Sequence, residues 1–259
     1  MTEETGVNAH RSHASKVPEL VLSFWIIKIA ATTLGEIGGD ALSMSMGLGY
    51  LVSTAIFTAI FLVAVTFQIK AVRCHPGIYW TTIVATTTVG TTLADFADRS
   101  LGIGYAGGAS LLFAALLGSL AIWYWSLGSV RVTEVSSPKS EGFYWVTIMF
   151  SQTLGTALGD WTADDAGVGY AGGMALFGLL LAAVLAFYFW TTISRTFLFW
   201  AAFILTRPLG AVVGDFMDKP HEAGGLALSR YTGSAVLLVF IAACILFLPH
   251  RAGQTEDAP

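Results

Sequence analysis

Eight long apolar runs alternate with short polar connections along the chain, at about 19–43, 47–69, 77–98, 103–127, 142–163, 168–191, 196–217 and 229–249. Each approaches the ~20 residues a helix needs to cross the hydrocarbon core of a bilayer. No segment shows the apolar/polar alternation of a barrel strand, so helices are the spanning element to expect. The runs come in pairs of unlike character. The first of each pair is rich in Thr and Gly and carries an acid near its end, whereas the second is almost entirely Leu, Ala, Phe and Gly. Eight helices in four two-helix units follow, with the first helices lining a polar interior and the second ones facing lipid.

The four units are copies of one another. Trp25, Trp80, Trp145 and Trp200 each open a unit; a glycine follows ten residues later (Gly35, Gly90, Gly155, Gly210) and an aspartate fifteen later (Asp40, Asp95, Asp160, Asp215). Repeats at this period dictate the architecture. They bound a polar N-terminal segment over 1–18, expected to be disordered and cytoplasmic, a membrane domain over 19–249 with repeats at about 19–70, 74–128, 139–191 and 194–249, and a polar tail over 250–259. An even number of helices per unit makes the repeats parallel, related about the membrane normal rather than inverted. The longer connection around Ser136–Gly142 suggests a division into two four-helix halves.

Composition agrees. The chain is 55% hydrophobic and 12% charged, against about 25% charged in a soluble domain. With a net charge of −4 and no basic stripe, nucleic acid is not an expected partner. Eight Lys/Arg residues (Arg11, Lys16, Lys70, Arg73, Arg131, Lys139, Arg195, Arg251) fall on the N-terminal side of the bundle and three (Arg99, Lys219, Arg230) on the other. That imbalance places both termini in the cytoplasm of a multi-pass inner-membrane protein, with the tryptophans as anchors at the inner interface and the aspartates toward the outside. Cys74 and Cys244 lie on different elements and lack a C-x-x-C partner, so neither a disulfide nor a metal site is expected from them.

Four tandem two-helix repeats with the Trp–x(9)–Gly–x(4)–Asp spacing, covering nearly all of 19–249, resemble a bacterial family of uncharacterised membrane-anchored proteins built from a repeat of unknown function. The resemblance implies the fold and the membrane address, and no particular activity. The fourth unit departs from the pattern, carrying Arg207–Pro208 where the others have Thr-Thr or Gln-Thr and lacking a Gly-Tyr after its aspartate.

The candidate chemistry is an array of acids. With the tryptophan as position zero, positions 8, 11 and 15 share a helical face, giving Thr33, Glu36 and Asp40; Thr88, Thr91 and Asp95; Thr153, Thr156 and Asp160; and Asp215. Ionisable groups within a span are costly and mark ion paths or relays. An oxygen-rich acidic site suits protons or hard divalent cations. The expected metal ligands are Asp40, Asp95, Asp160 and Asp215; Glu36 and Thr33, Thr88 and Thr153 are inner ligands or relay, and Arg207 is their counter-ion. Met44, Met46 and Met217 are expected to pack rather than ligate, Lys28 to snorkel to the interface, and His221 to lie in an ordinary loop. Gly35/Gly39, Gly155/Gly159 and Gly210/Gly214 form GxxxG pairs, and Gly90/Ala94 a close variant, that let helices approach closely.

Other classes fit poorly. The Gly-Tyr pairs at Gly49–Tyr50, Gly104–Tyr105 and Gly169–Tyr170 evoke a potassium-channel filter, but ten residues after each aspartate cannot hold a pore helix and filter, so tight outer turns are expected. None of the aspartates sits in the Gly-x-Gly-Asp of an intramembrane protease, and there is no P-loop, haem ligand pair or nucleophile constellation. The expectation is a cation transporter rather than an enzyme, without a cofactor, specifically proton-coupled efflux of a divalent metal such as Mn²⁺. The rival expectation is a non-transporting membrane protein whose acids are structural and whose bundle organises partners.

Overall fold

The computed structural model describes residues 15–249 and 251–253. Eight α-helices account for most of them: α1 (Leu22–Asp40), α2 (Gly49–Lys70), α3 (Pro76–Asp95), α4 (Tyr105–Leu127), α5 (Pro138–Asp160), α6 (Gly169–Trp190), α7 (Arg195–Asp218) and α8 (Arg230–Phe247). Five of them, α2, α4, α6, α7 and α8, are long and apolar enough to cross a membrane. Helices α1, α3 and α5 fall short in apolarity because their inward faces carry the threonines, glycines and acids.

The odd helices form a closed ring, α1 on α3, α3 on α5, α5 on α7 and α7 on α1. The ring is continuous across the long α4–α5 connection, so the expected division into two halves is absent. Each even helix packs chiefly on the odd helix of the next unit: α2 on α3, α4 on α5, α6 on α7, and α8 back on α1. Large apolar side chains on the even helices are widely exposed (Leu179, Trp125 and Val239 among them), whereas the inner face of the ring is buried.

The glycines explain how the ring closes. A Cβ on Gly35 would lie 2.2 Å from Thr87, one on Gly155 2.2 Å from Arg207, and one on Gly210 2.1 Å from Thr32; one on Gly90 would lie 2.9 Å from the Gln152 backbone. The glycine at position 10 of each unit thus receives the residue at position 7 of the next, and the fourth hands back to the first. Only hydrogen fits at these crossings, which is the small-residue packing helices use where lipid supplies no hydrophobic drive.

Consequently the row facing the axis runs at four-residue intervals. Positions −1, 3, 7, 11 and 15 of the four odd helices make five stacked layers of four residues, all no more than 5% exposed. From the N-terminal end these are Phe24, Tyr79, Tyr144 and Phe199; Lys28, Ile83, Ile148 and Phe203; Thr32, Thr87, Gln152 and Arg207; Glu36, Thr91, Thr156 and Ala211; and the four aspartates. Position 8 lies off this axis. Trp80, Trp145 and Trp200 are buried in an aromatic core with the first layer, rather than standing at a lipid interface.

At the far end, α1, α3 and α5 each run into one π-helical turn, Ala41–Ser45, Phe96–Ser100 and Trp161–Asp165. The chain then reverses through Gly47/Gly49, Gly102/Gly104 and Gly167/Gly169, all with φ between 67° and 77°. The Gly-Tyr pairs are therefore the tight turns expected of them, since this left-handed backbone favours glycine. At the other end residues 15–19 and 251–253 meet. Glu19 N donates to Arg251 O (2.9 Å), Gly253 N to Val17 O (3.0 Å), and Ser15 Oγ to Val132 O (2.8 Å). Residues 15–18 and 251–253 are therefore paired parts of the fold rather than loose ends; 1–14 and 254–259 lie outside the described residues.

Candidate functional site

The axial layers bring the repeated acids together. Arg207, fully buried, reaches across Gly155 into the position-11 layer, where its Nη2 donates to Glu36 Oε2 (3.0 Å), Thr91 Oγ1 (2.6 Å) and Thr156 Oγ1 (2.5 Å). All three partners come from the other units. Ala211, in Arg207's own unit, lacks a polar group at that layer. The expected pairing of Arg207 with Glu36 is thus present, and it occupies the centre of the ring.

One turn outward, the aspartates are joined in pairs. Lys219 bridges Asp40 (2.7 Å) and Asp215 (2.9 Å); Arg99 bridges Asp95 (3.0 Å) and Asp160 (3.5 Å). Both cations stand at position 19, in units two and four only, so a four-fold array of acids carries a two-fold array of bases. Arg230, at the start of α8, pairs with Asp218 and reaches Asp40 at 3.6 Å. Tyr50 and Tyr105 lie beside Arg99 at the turns.

Carboxylate oxygens of Glu36, Asp160 and Asp215 lie within 4.8 Å of one another, as do those of Asp40, Asp215 and Asp218. Asp95 belongs to neither triplet and is bridged to Asp160 by Arg99. Glu36 and the four aspartates are five carboxylates; Arg207, Lys219 and Arg99 are three cations. Fully ionised, this group, buried except for Arg99, carries two surplus negative charges. Asp40 Oδ1 and Asp160 Oδ1 are buried and make no hydrogen bond among the described residues.

Other expected residues lie elsewhere. Thr33, Thr88 and Thr153 donate to their own helices, at Ile29 O (3.0 Å), Val84 O (2.8 Å) and Met149 O (3.0 Å). Position 8 is thereby satisfied locally, and positions 7 and 11 supply the inner polar groups. Lys28 does not snorkel: it is fully buried, with its amine 4.1 Å from the Phe203 ring centre. A four-residue row centred on the axis carries it inward, although composition alone places it near a helix end. His221 Nδ1 contacts Gly225 O (2.9 Å) in a loop, Met46 is exposed, and no disulfide joins Cys74 to Cys244. In the sequence Lys219 is a charge of the outer connections and Arg99 a partial offset to the acids; the four-residue offsets from Asp215 and Asp95 are the signal for the bridges. A surface groove of about 660 Å³ between α2 and α3 is lined by Ala59, Ile60, Phe67 and Gly77 among others and is apart from this chemistry.

A ring of four parallel helical hairpins closed around buried, paired acids defines a tandem-repeat helical protein with membrane-type surfaces. The chain belongs to the family described as Repeat of Unknown Function (DUF347), whose model matches residues 23–73, 78–129, 143–194 and 198–252, one copy for each unit. No curated protein and no solved structure matches the chain.

Proposed function

We propose that the protein is a cation transporter of the bacterial inner membrane, with all eight helices spanning and both termini cytoplasmic, and that a divalent metal of the Mn²⁺ type is its substrate in exchange for protons. The observation carrying this reading is the meeting of Glu36, Asp160 and Asp215 oxygens within 4.8 Å, beside two uncompensated charges, inside a closed helix ring. Oxygens on opposite sides of a cation bound at 2.3–2.6 Å stand ~5 Å apart, so these three groups need little movement to ligate one. Asp40 and Asp95 adjoin through Lys219 and Arg99, cations that a bound metal would displace from its ligands. The weaker apolarity of α1, α3 and α5 is compatible with spanning, because the even helices shield them from lipid.

A second reading is favoured by one observation: each of the five carboxylates already has a basic partner within 3.6 Å. On that reading the acids hold the ring shut and the bundle organises partners. Mn²⁺ uptake into vesicles reconstituted with the purified protein decides between them. Asp160→Asn and Asp95→Asn are expected to abolish flux while leaving yield and monodispersity intact. Wild-type flux in both variants overturns the transport reading; loss of folded protein supports the structural one.

A further inference from the structure

The inner half of the axis contains polar groups that the carboxylate cluster does not use. Tyr79 and Tyr144, fully buried in the first layer, share a hydrogen bond of 2.6 Å between hydroxyls. One layer outward stands the Lys28 amine, buried and without a hydrogen-bond partner among the described residues. The next layer holds Thr87 Oγ1 and both amide atoms of Gln152, all buried and likewise unpartnered. Glu36, Thr91 and Thr156 follow, and then the aspartates. One polar rung thus stands in each layer, at a four-residue interval of about 6 Å along a helix, a gap one bridging water spans.

Packing alone does not account for these rungs. A buried polar group without a partner costs about 1–3 kcal/mol, and Leu or Met at position 3 would fill Lys28's place beside Ile83, Ile148 and Phe203. The titratable or charged groups around the inner rungs are few. Arg207 of α7 lies close enough to repel the Lys28 amine. Tyr79 of α3 and Tyr144 of α5 form the layer beneath, and Cys74 adjoins that pair. Cys244 of α8 packs on the same core.

We propose that the Tyr79–Tyr144 pair and Lys28 form the inner arm of a proton path, carrying the coupling proton between the N-terminal face and the carboxylate cluster. The proposal rests on the transport reading and names its coupling route. A proton accepted at one phenol oxygen is matched by release of a hydroxyl proton from the pair. The Lys28 amine takes that proton, becoming ammonium, and passes it through water at the Thr87–Gln152 layer to a carboxylate. Each rung regains its starting protonation after every transfer. Arg207 orders the final step by holding Glu36.

The test uses full-length protein in vesicles of phosphatidylethanolamine and phosphatidylglycerol, with a trapped pH dye reporting proton counterflow during Mn²⁺ movement. Mn²⁺ binding is followed separately by electron paramagnetic resonance in detergent. Tyr79→Phe/Tyr144→Phe and Lys28→Met are expected to lower counterflow by about 10²-fold, the lower end of what a positioned acid–base group contributes, with Mn²⁺ binding unchanged. Lys28→Arg keeps the charge but does not release a proton, so it is expected to be as defective as Lys28→Met. Wild-type counterflow in the tyrosine double variant or in Lys28→Met overturns the proposal, and so does recovery of counterflow in Lys28→Arg. If the wild type binds no Mn²⁺, or binds it equally after Asp160→Asn, the site reading itself fails and the path fails with it.

Discussion

Removing Arg207 is the most informative single perturbation, because one side chain holds three units to the fourth. Arg207→Met preserves much of the apolar stem against Gly155 but leaves the Glu36 carboxylate, 3% exposed, without its cation. It also deprives Thr91 and Thr156 of their shared donor. Breaking a buried pair from one side costs about 3–5 kcal/mol, most of it the isolated charge. At roughly 2–4 °C per kcal/mol for a chain of this size, the apparent melting temperature in detergent is expected to fall by on the order of 10 °C. Membrane proteins commonly unfold irreversibly, so wild type and variants are compared at one scan rate. The second arm is the double variant Arg207→Met/Glu36→Gln. Because the cost lies in the stranded carboxylate, neutralising it is expected to recover half or more of the loss. Two results refute the reasoning: an unchanged melting temperature in Arg207→Met, or a double variant no more stable than the single one.

Two further outcomes follow from the geometry. Gly90→Ala places a methyl 2.9 Å from the Gln152–Thr153 backbone, which cannot rotate away, and is expected to cost about 1–3 kcal/mol by overpacking; Gly77→Ala, which meets nothing within 4 Å, serves as the control in the same thermal assay. Cys74, in the α2–α3 connection, has its thiol pushed up to about 11 by burial, so in Cys244→Ser protein its alkylation is expected to be slow at pH 7.5 and to accelerate about tenfold per pH unit up to that value, because the thiolate is the nucleophile; a rate that plateaus near pH 8.5 contradicts this.

Much of the fold was legible in the sequence because the repeat is strict. The tryptophan-to-glycine and tryptophan-to-aspartate spacings mark equivalent positions in four units, and the unlike composition of the two helix types assigns inside and outside. The face was harder to read. Thr33, Thr88 and Thr153 share a helical face with Glu36 and its counterparts on a lone helix, yet in the ring the crossing at Gly35, Gly90, Gly155 and Gly210 rotates position 8 away and aims position 7 inward. A helical wheel does not contain the neighbouring helix, so it cannot supply that rotation. Lys28 was misplaced for the same reason. The bridges from Lys219 and Arg99 depend on which helices are neighbours in the ring, and that order is a tertiary fact. Arg207 was visible as the place where the symmetry breaks, but its reach across three other units was not.

The even-to-next-odd packing makes the molecule a loop of clasped hands, with α8 gripping α1 and residues 17–19 paired with 251–253. Such a chain has no intrinsic first unit. Joining the two ends and opening the largely exposed 191–194 connection instead would leave every clasp intact, so a circular permutant beginning at α7 is expected to assemble. A chain shortened by one unit would leave one hand empty and an odd helix bare at each side of the gap.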